Sequence, residues 1–259
     1  MRDTLRAMAA ETLAIVQDGR LGGADISDEI ERAIRGTRLY LPGDDLPLPV
    51  AVGGPPAIEI TGESTLAAAA RLDDPLCLNF ASATKPGGGF INGAQAQEES
   101  LARSSALYPS LLAAEEFYVH HRQHRGPLYS DRVIYSPRVP VFRDDRGSLL
   151  PEAYPVSFVT AAAPNRTAIV RDRPDLLPEV PGVLARRAAW ILRVAAAHGH
   201  RELVLGAWGC GVFGNDPALV AEVFAGALRE APWFDRVVFA ILDRREQVRD
   251  VFRERLAEK

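Results

Sequence analysis

The sequence has little cysteine, little methionine and few aromatic residues: two of each of the first two, and 7 % of the third, in 259 residues. Cys77 and Cys210 lie far apart and form no Cys-x-x-Cys pair, which argues against a disulfide framework or a cysteine zinc site and fits a reducing compartment. No apolar run approaches the roughly 18 residues of a membrane-spanning helix. The opening stretch MRDTLRAMAAETLAIVQ mixes acids and bases and has no long apolar core, so no signal peptide and a cytoplasmic location are expected. A basic excess is lacking too: the formal charge is −4 and the pI about 5.8. That balance argues against a nucleic-acid or membrane-surface protein, but leaves room for a polyanionic ligand held by backbone amides.

What is present is a chain with 47 % hydrophobic residues, enough for a sizeable core. Amphipathic helices are expected over 3–18 and 27–36, the second capped by Ser27 or Asp28. AIEI (57–60) and LCLNFAS (76–82) read as strands, with a helix led in by GESTLAAAARL between them. A helix is expected from near Gly93, and another over 111–124 after a break at Pro109. RVIYSPRVPVF and VSFVTAAAP read as strands joined by a polar turn. Then come a helix over 180–198 stopped by Gly199, the strand ELVLGAWG, a helix over 216–230, the strand RVVFAIL and a helix over 244–257. Strands alternating with helices indicate a layered α/β fold with a largely parallel or mixed sheet. No repeat or low-complexity linker interrupts it, so one domain is expected.

Two glycine-rich loops follow strands in this pattern, where α/β sheets bind ligands. One is Gly87-Gly88-Gly89; the other is GCGVFGND (209–216), which runs into a helix with Asp216 as cap and Pro217 as its first residue. Glycines let backbone N–H groups close on an anion, and a helix N-terminus adds a favourable dipole. Two such loops at one end of a sheet suit a diphosphate. Residues 209–214 also match the Gly-x-Gly-x-x-Gly of dinucleotide-binding folds. The context disagrees: only one strand follows, and its terminal acid Asp243 lies 34 residues from Gly209, where about 20 are expected.

The stretch NFASATKPGGGFINGAQAQEESLARSSALY is similar to the signature of the bacterial-type poly(ADP-ribose) glycohydrolases, which are built on the ADP-ribose-binding macrodomain. Its core is Gly87-Gly88-Gly89, a short gap, then Gln97-Glu98-Glu99. GAWGCGVFGND resembles the family's diphosphate loop, and ITGEST (60–65) resembles the strand and loop that meet the adenine. Departures are Ser82-Ala83-Thr84, where many macrodomains carry Asn, and Glu63, where Asp is common.

The resemblance implies a three-layer α/β/α sandwich over 51–259, with residues 1–50 as a helical extension of the same domain. It implies hydrolysis of the ribose–ribose O-glycosidic bond in poly(ADP-ribose) with release of ADP-ribose, without metal or other cofactor. Glu99 would be the general acid and then the base that activates water, while Glu98 would hold a ribose hydroxyl or the leaving group. Gly87, Gly88, Gly89, Gln97, Asn79, Gly209, Gly211, Val212, Phe213, Gly214, Asn215 and Glu63 would bind substrate. Implied partners are the polymer, ADP-ribose and ADP-ribosylated proteins, with no direct nucleic-acid or membrane contact, in a monomer that reverses ADP-ribosylation in the DNA damage response. A mono-ADP-ribosyl hydrolase of the same fold usually lacks the Gln-Glu-Glu run, and a pure ADP-ribose-binding module would not need Glu99.

Consecutive helical residues lie about 100° apart, so Glu98 and Glu99 must point in different directions. A general acid must also hold its proton at working pH. For an ordinary glutamate that costs about 3.7 kcal/mol at pH 7. The charge of Glu98, the diphosphate, and burial against Phe90 or Phe213 are expected to offset it. His120, His121 and His124 offer an i, i+4 pair for a metal, but Arg122 and Arg125 stand beside them. Arg186-Arg187 reads as a solvated face, and Cys210 as a small filler.

Overall fold

The computed structural model describes every residue except Val52, Arg244, Arg245, Glu258 and Lys259. In chain order the elements begin with α1 (Arg2–Asp18), the short strands β1 (Arg20–Leu21) and β2 (Ala24–Asp25), α2 (Ser27–Gly36) and β3 (Arg38–Tyr40). Next come β4 (Ala57–Thr61), α3 (Thr65–Ala69), β5 (Leu76–Phe80), α4 (Gln97–Ser104), α5 (Leu107–Ala113) and α6 (Glu115–Gln123). The chain continues with β6 (Val133–Arg143), β7 (Leu149–Ala161), α7 (Arg166–Asp172), α8 (Val180–Ala197), β8 (Glu202–Leu205), α9 (Pro217–Arg229), β9 (Arg236–Ala240) and α10 (Gln247–Ala257).

Seven strands form one sheet in the order β3-β6-β7-β5-β8-β9-β4. The five from β7 to β4 run parallel, and β6 is antiparallel to both its neighbours. Alternation of side chains along the strands feeds two separate cores. Leu76 and Leu78 of β5, with Val237 and Phe239 of β9, pack under α8, α9 and α10. Cys77 of β5, Phe158 of β7 and Val238 of β9 face the layer of α2 to α6. The strands are nearly continuous apolar runs because both faces are covered.

Several local expectations need revision. Residues before α4 form a single 3-10 turn, Phe90–Asn92, ended by Gly93 at φ 73°, so the helix begins at Gln97 rather than near Gly93. The stretch 111–124 is two helices, and Pro109 sits inside the first turn of α5, where its missing N–H leaves no bond unmade. Neither Ser27 nor Asp28 caps α2; Asp25 accepts the Ser27 N–H at 3.0 Å instead. Asp216 and Pro217 do occupy the cap and first position of α9, with the Asp216 carboxylate accepting the Ala218 N–H at 3.0 Å. Arg187 is buried rather than solvated, at 1 % exposure. The expected start of the last helix, 244–245, lies outside the described residues. Within residues 1–50, β3 joins the edge of the main sheet.

Candidate active site

A cleft of about 1060 Å³ opens at the carboxyl ends of the parallel strands. Glu63 after β4, Ser82–Thr84 after β5, Ala163 after β7, Ala207–Phe213 after β8 and Ile241–Asp243 after β9 all line it. Leu5 and Met8 of α1 close one side.

Why the cleft opens there follows from the sheet. β5 pairs with β8 only through Leu76 and Cys77, after which the strands part. The Leu78 carbonyl and the Phe80 N–H are thereby left without a strand partner. Gln97 supplies one: its Nε2 donates to Leu78 O at 2.8 Å, and its Oε1 accepts the Phe80 N–H at 2.9 Å. A side-chain amide carries the same donor and acceptor as a peptide, so it stands in for the missing strand. Nε2 also donates to Thr65 Oγ1 at 3.1 Å. The Gln97 amide is therefore fully engaged within the protein.

With Gln97 pinned, the next two residues turn to different surroundings. Glu98 is buried at 3 % exposure. Its Oε2 accepts the Ser82 N–H at 2.6 Å, and its Oε1 accepts from Asn79 Nδ2 at 3.3 Å. Asn79 Nδ2 also donates to Thr160 Oγ1 at 3.1 Å, while its Oδ1 is buried with no partner. Glu99 is half-buried, and its Oε1 accepts the Gly89 N–H at 2.9 Å. Its Oε2 has no protein hydrogen bond among the described residues.

The glycines shape this arrangement. Gly87 and Gly88 take left-handed φ angles of 65° and 60°. A Cβ on Gly88 would fall on Glu99 Oε1 and lie 3.3 Å from Glu98 Oε2. The triple glycine thus keeps side chains away from both carboxyls. Phe90 is fully buried beneath Gly87 and does not line the cleft.

The carboxyl that burial raises is Glu98, pushed up to about 8 from an ordinary 4.5 by desolvation. The Ser82 N–H and the Asn79 amide pull it down, and the Glu99 charge adds to the rise. A carboxyl that holds its proton more tightly when folded stabilises the fold fully below about 4.5 and loses that contribution as pH rises through about 8. The melting temperature of the wild type is expected to fall between about pH 5 and 8, and more steeply than that of Glu98→Gln. The amide needs no proton, and the free Asn79 Oδ1 can turn to accept from it. Thermal melts of both proteins across that range check this; parallel curves would show that Glu98 is not the titrating group.

The second loop is built to present donors. Trp208 Nε1 donates to Ala161 O at 3.0 Å, and Asn215 Nδ2 donates to Pro164 O at 2.8 Å and Gly209 O at 3.1 Å. Thr167 Oγ1 donates to Val212 O at 3.1 Å, and the Thr167 N–H to Phe213 O at 3.0 Å. The carbonyls of Gly209, Gly211, Val212 and Phe213 are thus consumed. The N–H groups of Gly209, Gly211, Val212 and Phe213 have no protein acceptor among the described residues. Nothing lies within 4 Å of where a Gly211 Cβ would project, and Val212 is 84 % exposed. Cys210 is half-buried, its thiol pushed up to about 12 by burial, which suits a filler rather than a nucleophile.

Of the residues singled out from sequence, Glu63, Gln97, Glu98, Glu99, Gly209, Gly211, Val212 and Phe213 line the cleft. Asn79, Gly214 and Asn215 stand behind its wall, bracing what does, and Gly87–Gly89 position Glu99. Glu63 is paired with Arg71, its oxygens 3.1 to 3.3 Å from the guanidinium. The backbone N–H of Ser82, the α1 residues Leu5 and Met8, and Tyr129 were not visible from spacing; each reaches the cleft through tertiary packing. Among the described residues no group of three or more His, Cys, Asp or Glu side chains is placed to hold a metal ion. His120 Nε2 meets Arg132 Nη1 at 2.9 Å, and the His120 and His124 rings stack at 4.1 Å.

Residues 4–144 match the family model of the microbial-type PARG catalytic domain. The poly(ADP-ribose) glycohydrolase of Thermomonospora curvata superposes with a TM-score of 0.91 at 51 % identity, covering 98 % of this chain and 100 % of its own. The chain belongs to the microbial-type poly(ADP-ribose) glycohydrolases. The same glycohydrolase of T. curvata bound to the inhibitor ADP-HPD gives 0.88 at 50 % identity, with the same coverage. The glycohydrolase of Deinococcus radiodurans in complex with ADP-ribose gives 0.81 at 42 %, covering 92 % of this chain and 99 % of that one. None of the curated proteins compared matches the chain. Within this glycohydrolase the Gln-Glu-Glu run separates into three surroundings: a staple to β5, a buried acid and a cleft-facing acid.

Proposed function

We propose that this glycohydrolase binds an ADP-ribose unit of poly(ADP-ribose) in the cleft and hydrolyses the ribose–ribose O-glycosidic bond with Glu99 as general acid and base. The observation that carries this is a pair of carboxyls with different surroundings, Glu98 sealed and Glu99 open at Oε2, in one cleft with a run of free amides. Binding of ADP-ribose and of ADP-HPD is reported for the D. radiodurans and T. curvata relatives respectively, and the free amides of Gly209, Gly211, Val212 and Phe213 suit its diphosphate.

The chemistry then divides between the two acids. Protonated Glu99 gives its proton to the leaving ribose oxygen as the glycosidic bond breaks. The resulting carboxylate takes a proton from water, whose oxygen bonds to the anomeric carbon; Glu99 ends protonated as it began. Glu98, with both oxygens engaged, does not need to move. Its neutral form at pH 7 removes a like charge from beside the incoming diphosphate, so the Glu98 charge expected from sequence to help Glu99 keep its proton is absent and that part is left to the diphosphate.

Incubating the protein with poly(ADP-ribose) and measuring free ADP-ribose tests the reading. Release only from mono-ADP-ribosylated protein would favour the mono-ADP-ribosyl hydrolase, and binding without release a non-catalytic module. Exhaustive chelation is expected to leave the rate unchanged; rescue by an added divalent ion would contradict a metal-free route. The same reading makes the chain a cytoplasmic monomer that clears ADP-ribosylated proteins after DNA damage.

A further inference from the structure

Tyr129 is a bulky residue held at φ 57°, in the left-handed region that such residues rarely adopt. Such strain persists only where the surroundings over-determine it, and it collects at functional sites. Here the surroundings are explicit. The Pro127 carbonyl accepts the Asn165 N–H at 2.7 Å, and the Leu128 carbonyl accepts from Arg187 Nη2 at 3.1 Å. Ser130 donates its N–H to His121 Nε2 at 3.2 Å. Asp131 Oδ1 takes both Nε and Nη2 of the buried Arg187, at 3.0 and 2.9 Å.

His121 is itself fixed. Its Nδ1 lies 2.7 Å from the Phe117 carbonyl, which can only accept, so Nδ1 carries the proton and Nε2 is the acceptor for Ser130. Four residues around Tyr129 are thus nailed down, and its hydroxyl has no protein hydrogen bond among the described residues. Its ring lines the cleft 5.9 Å from that of Phe213, with 39° between planes. Phe213 is pinned in turn through its carbonyl by Thr167.

We infer that Tyr129 is a substrate-contacting residue: with Phe213 it forms a rigid aromatic wall that receives the apolar face of the ribose next to the diphosphate loop. This rests on the proposed cleavage of poly(ADP-ribose) in the cleft. A fixed wall loses little conformational freedom on binding, which is the advantage of paying its strain in the free protein.

The test uses Tyr129→Gly, which removes the ring and relaxes the left-handed backbone, and Tyr129→Asn, a second residue type tolerant of that conformation. Steady-state release of ADP-ribose from poly(ADP-ribose) and calorimetry with ADP-ribose are measured on the full chain. An aromatic contact of this kind is worth about tenfold in affinity. Both variants are expected to raise KM and the ADP-ribose Kd by about tenfold with kcat nearly unchanged, and Tyr129→Phe to stay close to wild type. Wild-type KM in a folded variant, a fall in kcat alone, or loss of fold in both variants would assign the ring to packing and overturn the inference. A wild type that releases no ADP-ribose would instead sink the reading beneath it, whatever the Tyr129 variants bind.

Discussion

Glu99→Gln is expected to lower turnover of poly(ADP-ribose) by about three orders of magnitude or more while leaving ADP-ribose affinity nearly unchanged. Proton transfer by a positioned group is worth roughly 10² to 10⁴-fold, and the leaving alkoxide here is poor. Gln keeps the length of the side chain, and its carbonyl oxygen can still accept the Gly89 N–H that now holds Glu99 Oε1 at 2.9 Å. What it loses is the proton. Affinity is spared on the proposed reading, in which the diphosphate rests on backbone amides of another loop. Rate and calorimetric Kd on one preparation separate the two effects. A mutant that binds normally and keeps most of its rate would move the acid's role to Glu98.

Replacing Gly88 with valine strikes the same chemistry from the backbone side. Its φ of 60° is costly for any residue with a Cβ and severe for a β-branched one, about 1 to 3 kcal/mol. The new Cβ would also fall on Glu99 Oε1 and crowd Glu98 Oε2 at 3.3 Å. Activity is expected to drop at least 10²-fold, on the scale of misplacing a catalytic group, together with a lower melting temperature. Gly211→Ala is the control. It has no left-handed φ and nothing within 4 Å of its Cβ, so stability should hold while ADP-ribose affinity falls. Near-normal turnover in folded Gly88→Val would mean that the carboxyls do not depend on the glycine loop.

How far the sequence discloses this site depends on what each residue needs. Glycine loops and the Asp216-Pro217 helix start are governed by local backbone chemistry, and they stand where spacing puts them. Glu98 and Glu99 are legible as a pair with divergent directions, because helical geometry alone separates them. Which one is desolvated is not legible: that depends on Ser82 and Asn79, 16 and 19 residues away along the chain. Arg187 looks like half of an exposed charge pair until Asp131, 56 positions earlier, is folded against it. Tyr129 carries no pattern at all; only its backbone angle and its anchored neighbours single it out. Pro109 misleads for a different reason, since a proline that breaks a helix interior is harmless in a first turn.

The amide of Gln97 has a consequence beyond holding a helix in place. Because it replaces a strand's edge, the start of α4, which carries both acids, is measured off the centre of the sheet. A change of one atom type at position 97 therefore reaches the carboxyls as directly as a side chain added to the glycine loop. A glutamate there would set a second acceptor against the Leu78 carbonyl and lift the catalytic turn off its ruler. Whoever reshapes this scaffold for another glycoside has that amide and the triple glycine to leave alone.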